Sequence, residues 1–154
     1  MLSYLADLHR RSVLPARAHL PYPYETMGPG YQDGSVFGHM DLTHERLDEV
    51  RADPEHVRNQ IRNELAGQQA DGLIPGIVLF KGEDTASWKT FKANPPLWVF
   101  AVDAYFEQTH DTAVLRDALT ALRRQIGWFE AHRRLPNGGF YYLDQSEKTW
   151  ESGI

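Results

Sequence analysis

The sequence contains no cysteine and no long apolar run, and each absence excludes a class of protein. Without cysteine there is no disulfide, no thiolate metal site and no cysteine nucleophile. No stretch approaches the roughly 20 apolar residues that a membrane-spanning helix needs. The N-terminus acquires a charge at Asp7, too early for the apolar core of a signal peptide. We therefore expect a cytoplasmic protein without a membrane partner.

Basic residues are also in the minority. The 154 residues include 16 Lys and Arg against 21 Asp and Glu, a formal net charge of −5. This balance gives no basic footprint for nucleic acid or an anionic membrane, so a small neutral or weakly charged partner is expected. The sequence has no Gly-x-Ser-x-Gly elbow and no Walker-type run. By elimination, carboxylates and aromatic rings are the available chemistry, as in glycoside processing.

Hydrophobic spacing predicts an all-α protein. Leu2, Leu5 and Leu8 are spaced for one face of a short N-terminal helix, and a tyrosine-rich loop over residues 20–34 follows. Four longer helices are predicted: one capped by Ser35 and running to about Ala52, one from Asp53-Pro54 to Asp71-Gly72, one opening at Pro95-Pro96, and one capped by Asp111 and stopped at residues 136–139. Residues 73–80 and 140–143 are expected to be short extended segments, and residues 81–93 a loop.

The order of these elements indicates an internal repeat. The turns at Asp71 and Asn137 are about 66 residues apart, so the chain is predicted to contain two copies of one helical hairpin. This period suits hairpins arranged in a ring, with buried inner helices and amphipathic outer ones. The third helix is apolar on nearly all sides and is expected to be buried. A ring of six pairs needs roughly 350 to 450 residues, so we expect an incomplete (α/α)6 toroid.

Two stretches contain candidate ligand-binding side chains. His39, Asp41, His44 and Glu45 invite a metal interpretation, but the two histidines are five residues apart and diverge on a helix. We therefore expect no metal site and no cofactor. Asp41 follows a glycine-rich loop and could instead accept hydrogen bonds from hydroxyl groups in a cavity.

The second stretch surrounds a pair of prolines. Asn94 precedes Pro95-Pro96 and is either a helix cap or a ligand contact. Trp98 lies in the first turn of the helix that follows, near the end of the ring where loops gather.

Five motifs in order along the chain resemble a known family. They are Gly28-Pro29-Gly30-Tyr31, Phe37-Gly38-His39-Met40-Asp41, Gln69 with residues 71–76, Pro95-Pro96-Leu97-Trp98, and Trp150-Glu151-Ser152-Gly153. Together they are similar to the (α/α)6-barrel glycoside hydrolases of family 63, in the mannosylglycerate and glucosylglycerate hydrolase branch, which is often labelled glycogen-debranching-like. The resemblance runs from about Leu20 to Ile154 and implies that residues 1–154 are one N-terminal part of such a domain.

The resemblance also implies a mechanism and a set of site residues. Family members invert the sugar centre with two carboxylic acids about 6.5–9.5 Å apart. Their general acid is an Asp directly after the Glu-Ser-Gly-aliphatic run, so it is expected just past Ile154, and the base lies far downstream. No catalytic residue is therefore expected among these residues, and the chain alone is expected to be inactive. The implied sugar-binding residues are Tyr31, Phe37, Asp41, Asn94, Trp98 and Trp150, with Glu151 supporting the acid.

Two positions depart from the family pattern. The family commonly has Trp where Met40 stands, and Gln where Asn94 stands, which leaves the identity of the sugar open. Two alternatives remain. The same barrel hosts sugar epimerases and lyases, for which His39 or His44 would be the important residue. The hairpins could also form a non-catalytic interaction module, and exposed edges could lead to self-association.

Overall fold

Helices dominate the structure, as the sequence predicts. The computed structural model describes residues 4, 7, 10–26, 36–81, 85–88, 93–143 and 147. The four longer helices are α1 (His39–Glu49), α2 (Pro54–Ala66), α3 (Trp98–Thr109) and α4 (Thr112–His132). The strands are β1 (Val13–Leu14), β2 (Tyr24–Glu25), β3 (Val36–Gly38), β4 (Ile77–Lys81) and β5 (Thr85–Trp88). The mostly helical class is confirmed, with two small sheets added.

The sheets correct two predictions. The first long helix does not begin after Ser35, because residues 36–38 form β3, which pairs antiparallel with β4 and aligns Phe37 with Val78. The predicted loop over residues 81–93 contains β5, in which Trp88 aligns with Val78 across the sheet. In both cases pairing with the apolar strand β4 satisfies backbone hydrogen bonds that local spacing does not reveal.

The predicted starts of α2 and α4 are confirmed, and an aspartate caps each of them. The side chain of Asp53 accepts a hydrogen bond from the amide of His56 at 2.9 Å, ahead of Pro54 at the first helical position. Asp111 Oδ1 accepts from the amides of Ala113 and Val114 at 3.0 and 3.1 Å. The Val114 amide is the main reason that the pKa of Asp111 lies below its ordinary value.

The two hairpins stack in register, as the repeat predicts. Helix α1 packs on α3, and α2 packs on both α3 and α4, so each helix of the first hairpin contacts its counterpart in the second. Within the first hairpin, Arg46 Nη1 donates to Glu64 Oε2 at 2.8 Å, and both side chains are buried. The shared core is built from apolar side chains of α2, α3 and α4, of the residue directly after α1 and of the segment after α2, including Val50, Val57, Ile61, Ile74, Trp98, Val102, Tyr105, Val114 and Ala118.

Amide side chains of α2 hold the N-terminal segment. Asn63 Oδ1 accepts from the Tyr22 amide, and Gln60 Oε1 accepts from the Glu25 amide, each at 3.0 Å. Gln60 Nε2 also donates to the Pro23 carbonyl at 3.0 Å. Because both amide groups are fully buried, each would be costly to leave unpaired. The segment around β2 is therefore fixed along α2.

One apolar face of the second hairpin stays open. The prediction that α3 is buried on all sides is wrong at Phe100, which is 58% exposed. Val99 and Phe100 line a groove of about 310 Å³ together with Leu115 and Leu119 of α4. Among the described residues no other element packs over it, and Ile126 continues the exposed apolar stripe along α4. We call Val99, Phe100, Leu115, Leu119 and Ile126 the open face.

Gly72 makes the turn that follows α2. The helix ends at Ala66, earlier than the predicted end at Asp71, and Gly72 then takes a left-handed φ of +105°. A Cβ atom at this position would lie 2.5 Å from the carbonyl oxygen of Arg124. The turn therefore needs glycine both for its backbone angle and for the close approach of α4.

We predict that Gly72→Ala lowers the free energy of unfolding by more than about 1 kcal/mol, because of backbone strain and the clash with Arg124. Urea denaturation followed by circular dichroism measures the change. Gly127→Ala is the matched control, because Gly127 is inside α4 with no atom within 4 Å of an added Cβ. That variant is expected to be more stable by roughly 0.5–1 kcal/mol. Equal effects at the two positions would contradict the account of this turn.

Candidate functional site

The starts of α1 and α3 meet at one end of the helices. Gly38, directly before α1, aligns with Ile77 across the β3–β4 pair. Gly76, the residue before Ile77, packs closely against the side chain of Asn94. A Cβ atom at position 76 would lie only 2.6 Å from Asn94 Cγ. The three positions Gly38, Gly76 and Asn94 therefore define what we call the α1/α3 end. The predicted sugar-binding residues Asp41 and Asn94 belong to it.

Asp41 and Asn94 reach this end by different routes. Asp41 is the third residue of α1, so its backbone is in the first helical turn beside β4. Asn94 precedes Pro95-Pro96 and is buried, with 6% of its surface exposed. The glycine at position 76 is what allows its amide group to approach the backbone so closely.

Two predicted aromatic residues are packed into the protein. Phe37 is buried in a cluster with Leu20, Tyr24, Val78 and Phe80, and its ring meets that of Tyr24 edge-on at 6.2 Å. Trp98 is 1% exposed, and its indole Nε1 donates to Gln125 Oε1 at 2.8 Å. Both rings thus support the α1/α3 end from within, and their contact with a sugar stays a prediction. The other three predicted residues, Tyr31, Trp150 and Glu151, lie outside the described residues.

Trp128 connects the segments on either side of this end. It packs with Leu73 and Ala93 in one buried cluster. Its indole Nε1 donates to Asp71 Oδ2 at 3.1 Å. Since Leu73 precedes Gly76 and Ala93 precedes Asn94, one indole ring positions both partners of the Gly76–Asn94 contact.

A buried ion pair extends this arrangement toward the C-terminal motif. The guanidinium of Arg133 lies over the Trp128 ring at 4.7 Å, and Arg133 Nε donates to Glu147 Oε2 at 3.2 Å. A second bond joins Arg133 Nη2 to the other carboxylate oxygen, and the Leu143 amide also donates to Glu147. Glu147 is 1% exposed, so the pair is shielded from water. We call Asp71, Trp128, Arg133 and Glu147 the Trp128 network.

Sequence reasoning missed this network. It linked neither Arg133 nor Glu147 to the candidate site. Arg133 and Glu147 are 14 positions apart, and a Pro-Asn-Gly-Gly turn lies between them. No helical or strand spacing therefore links the two side chains. The network anchors the chain three residues ahead of Trp150.

An aromatic groove of about 420 Å³ opens beside the α1/α3 end. Its lining begins at Pro95 and Pro96, next to Asn94, and otherwise consists of Ile126, Phe129, Glu130, Phe140, Tyr141 and Tyr142. Exposed ring faces suit stacking on the C–H surface of a sugar. The one carboxylate, Glu130, pairs with Arg134. The groove can therefore stack and orient a ligand, but the described residues of its lining include no second carboxyl group for acid–base catalysis.

A second group of side chains, of the types that can coordinate a metal ion, lies elsewhere in the fold. Within the described part of the chain, Glu25, Glu49 and His56 form a group whose ligand atoms all lie within 4.8 Å of one another. The group lies where α1 ends and α2 begins, away from the α1/α3 end. As for membranes, no helix in the described ranges is both long and apolar enough to span a bilayer.

Comparison with known proteins identifies a family. Residues 39–154 match the sequence profile of the mannosylglycerate hydrolase MGH1-like glycoside hydrolase domain. The matched region begins at the start of α1 and includes α1–α4 and the Trp128 network. A search of the curated proteins found no match, and neither did a search of the solved structures.

We predict that Glu147→Gln destabilises the fold by about 3–5 kcal/mol, because Arg133 would be left as an uncompensated buried charge. Thermal and urea unfolding of the purified chain measure the loss. The matched control is Glu130→Gln, which removes an ion pair with Arg134 that is largely exposed. Its cost is expected to stay below about 1 kcal/mol. Similar losses in the two variants would show that the buried pair does not anchor the chain.

Proposed function

This chain belongs to the MGH1-like glycoside hydrolase family, and we propose that it forms the sugar-binding part of an inverting hydrolase of small α-glycosides. Mannosylglycerate and glucosylglycerate are the proposed substrates. The family match over residues 39–154 supports glycosidase chemistry. The sugar and the stereochemical course are inferred from the motif resemblance.

The observation that carries the proposal is the contact between Gly76 and Asn94, which together with the pairing of Gly38 and Ile77 links the segments preceding α1 and α3. It brings the backbone of Asp41, the amide of Asn94 and the aromatic groove to one end of the helices. A carboxylate and an amide supply hydrogen-bond acceptors and a donor for sugar hydroxyls, and aromatic rings supply a stacking surface. This combination is what a binding site for a neutral polyol needs.

Each proposed residue has a distinct role. Asp41 accepts hydrogen bonds from sugar hydroxyl groups, and Asn94 orients a neighbouring hydroxyl from its fixed position against Gly76. Tyr31, Phe37, Trp98 and Trp150 shape the pocket, and Glu151 supports the general acid. The motif resemblance assigns the acid and the base to no residue of this sequence. The 154 residues are therefore proposed to bind a sugar without hydrolysing it.

The family match favours a hydrolase over a sugar epimerase or lyase. In those enzymes a histidine or tyrosine would act as the base, and His39 or His44 would then be the important residue. His39 and Asp41 both lie in the first turn of α1, so substituting each in turn separates the two chemistries.

We predict that Asp41→Asn weakens binding of glucosylglycerate or mannosylglycerate by about tenfold or more, because a charge-assisted hydrogen bond is lost. Isothermal titration calorimetry measures the affinities. His39→Ala is the matched control and is expected to stay within about twofold of the parent chain. The reverse order of losses would favour the epimerase or lyase alternative. Release of free mannose or glucose by the purified chain would contradict the proposed lack of turnover.

We also propose that the chain self-associates through the open face. Inside the molecule, apolar side chains of one hairpin already pack on the next. The open face presents the same kind of surface on the far side of the second hairpin, with Phe100, Leu119 and Ile126 all more than 40% exposed. A second copy of the chain would remove this apolar area from water.

We predict that the mean mass in solution rises with protein concentration and that Leu119→Glu abolishes the rise, because a charge would be buried in the contact. Analytical ultracentrifugation measures the mass. Leu47→Glu is the control, since Leu47 is an exposed leucine of α1 outside the open face. A strictly monomeric parent chain would contradict the proposal, and so would an equal effect of both substitutions.

A further inference from the structure

A second group of side chains is gathered where α1 ends and α2 begins. His56 Nε2 lies 3.1 Å from Glu25 Oε2 and 3.6 Å from Glu49 Oε2. The three residues come from three elements: Glu25 from β2, Glu49 from the last position of α1, and His56 from the first turn of α2. From this geometry we propose that Glu25, Glu49 and His56 bind a divalent transition-metal ion such as Zn²⁺.

Two of the three distances between these groups match a common metal ion, and the ligand atoms all lie within 4.8 Å of one another. With metal–nitrogen and metal–oxygen bonds of about 2.0–2.2 Å, neighbouring ligand atoms of a tetrahedral zinc site stand roughly 3.3–3.5 Å apart. The two separations from His56 Nε2 lie close to this range. One imidazole and two carboxylates are ligands that Zn²⁺ accepts, whereas Ca²⁺ needs six to eight oxygen ligands.

The charge of the group also favours a divalent cation. Two carboxylates and a protonated imidazole sum to −1, whereas two carboxylates, a neutral imidazole and a divalent ion sum to zero. The side chains of Glu25 and His56 are only 6% and 11% exposed, so an unbalanced charge among them is costly. The metal would take the place of the hydrogen bond between His56 Nε2 and Glu25 Oε2.

The site also has a local excess of negative charge. Carboxylate oxygens of Glu25 and Glu49 lie 3.1 and 3.6 Å from His56 Nε2, so this position attracts a cation.

Backbone hydrogen bonds hold two of the three proposed ligands in place. The amide of Glu25 is bonded to the buried Gln60, and the amide of His56 is bonded to the capping residue Asp53. Their positions are thus set before a metal arrives, which lowers the cost of binding. The side chain of Glu49 is 25% exposed and marks the side from which water could complete the coordination.

A metal ion at the proposed site would change the stability of the fold and would not take part in sugar binding. It joins the N-terminal segment to the turn between α1 and α2, whereas the α1/α3 end is formed by the start of α1. A bound ion would therefore strengthen the attachment of residues 22–25 to α2. This inference does not rest on the proposed glycosidase function.

Calorimetric titration of the chelator-treated full chain with Zn²⁺ tests the site. We expect one equivalent to bind, with affinity reduced at least about tenfold in Glu49→Gln and in His56→Gln, because each substitution removes a ligand. His44→Ala is the matched control, since it removes an exposed histidine of α1 and leaves the group intact. It is expected to bind as the parent chain does. Absence of saturable binding, or equal binding by all four proteins, would overturn the proposal.

A second measurement covers the case in which His56→Gln does not fold. Co²⁺ replaces Zn²⁺ in the parent chain, and its visible absorption reports the coordination number. The intense bands of four- or five-coordinate cobalt are expected at one equivalent and should be absent in Glu49→Gln. Weak six-coordinate bands in the parent chain would show surface or solvent binding and would overturn the proposal.

Discussion

The packing of Trp128 is the contact on which the candidate site depends. Its ring lies against Leu73 and Ala93, its indole nitrogen bonds Asp71, and Arg133 covers its face. These contacts join the turn after α2, the segment before α3 and the end of α4. The first two of these segments have no regular secondary structure, so Trp128 helps to fix their position against α4. The contact between Gly76 and Asn94 is a consequence of that arrangement.

The two ends of the hairpins have different chemistry. The α1/α3 end combines the amide of Asn94, the position of Asp41 in the first turn of α1 and the exposed rings of the aromatic groove. These groups suit a neutral ligand with hydroxyl groups. At the opposite end of α1, Glu25, Glu49 and His56 form a compact charged group that suits a cation. The core of Val57, Ile61, Trp98 and Val102 lies between these ends and fixes their separation. Binding at one end and stabilisation at the other can therefore be measured independently.

Local signals were predictable from the sequence, and contacts between distant segments were not. Asp53 and Asp111 cap the helices they were predicted to cap, because capping depends on residues two or three positions away. The spacing of Phe37 also fits the apolar stripe of a helix, but its backbone pairs with Val78, 41 positions later, and this pairing places it in a strand. Phe100 shows a related limit: an apolar residue is buried only where another element packs over it, and periodicity does not specify that element.

The site residues divide in the same way. Motif resemblance selected Asp41 and Asn94, and the fold brings their backbones to one end of the helices. It did not reveal Glu147 and Arg133, which are 14 positions apart and share no helical or strand spacing. The most direct test of the central claim is a titration of the ¹⁵N-labelled chain with glucosylglycerate, followed by NMR. The account predicts shifts in the Asn94 side-chain amide and in the Gly38 and Gly76 backbone amides. An absence of shifts, or shifts confined to residues around His56, would contradict it.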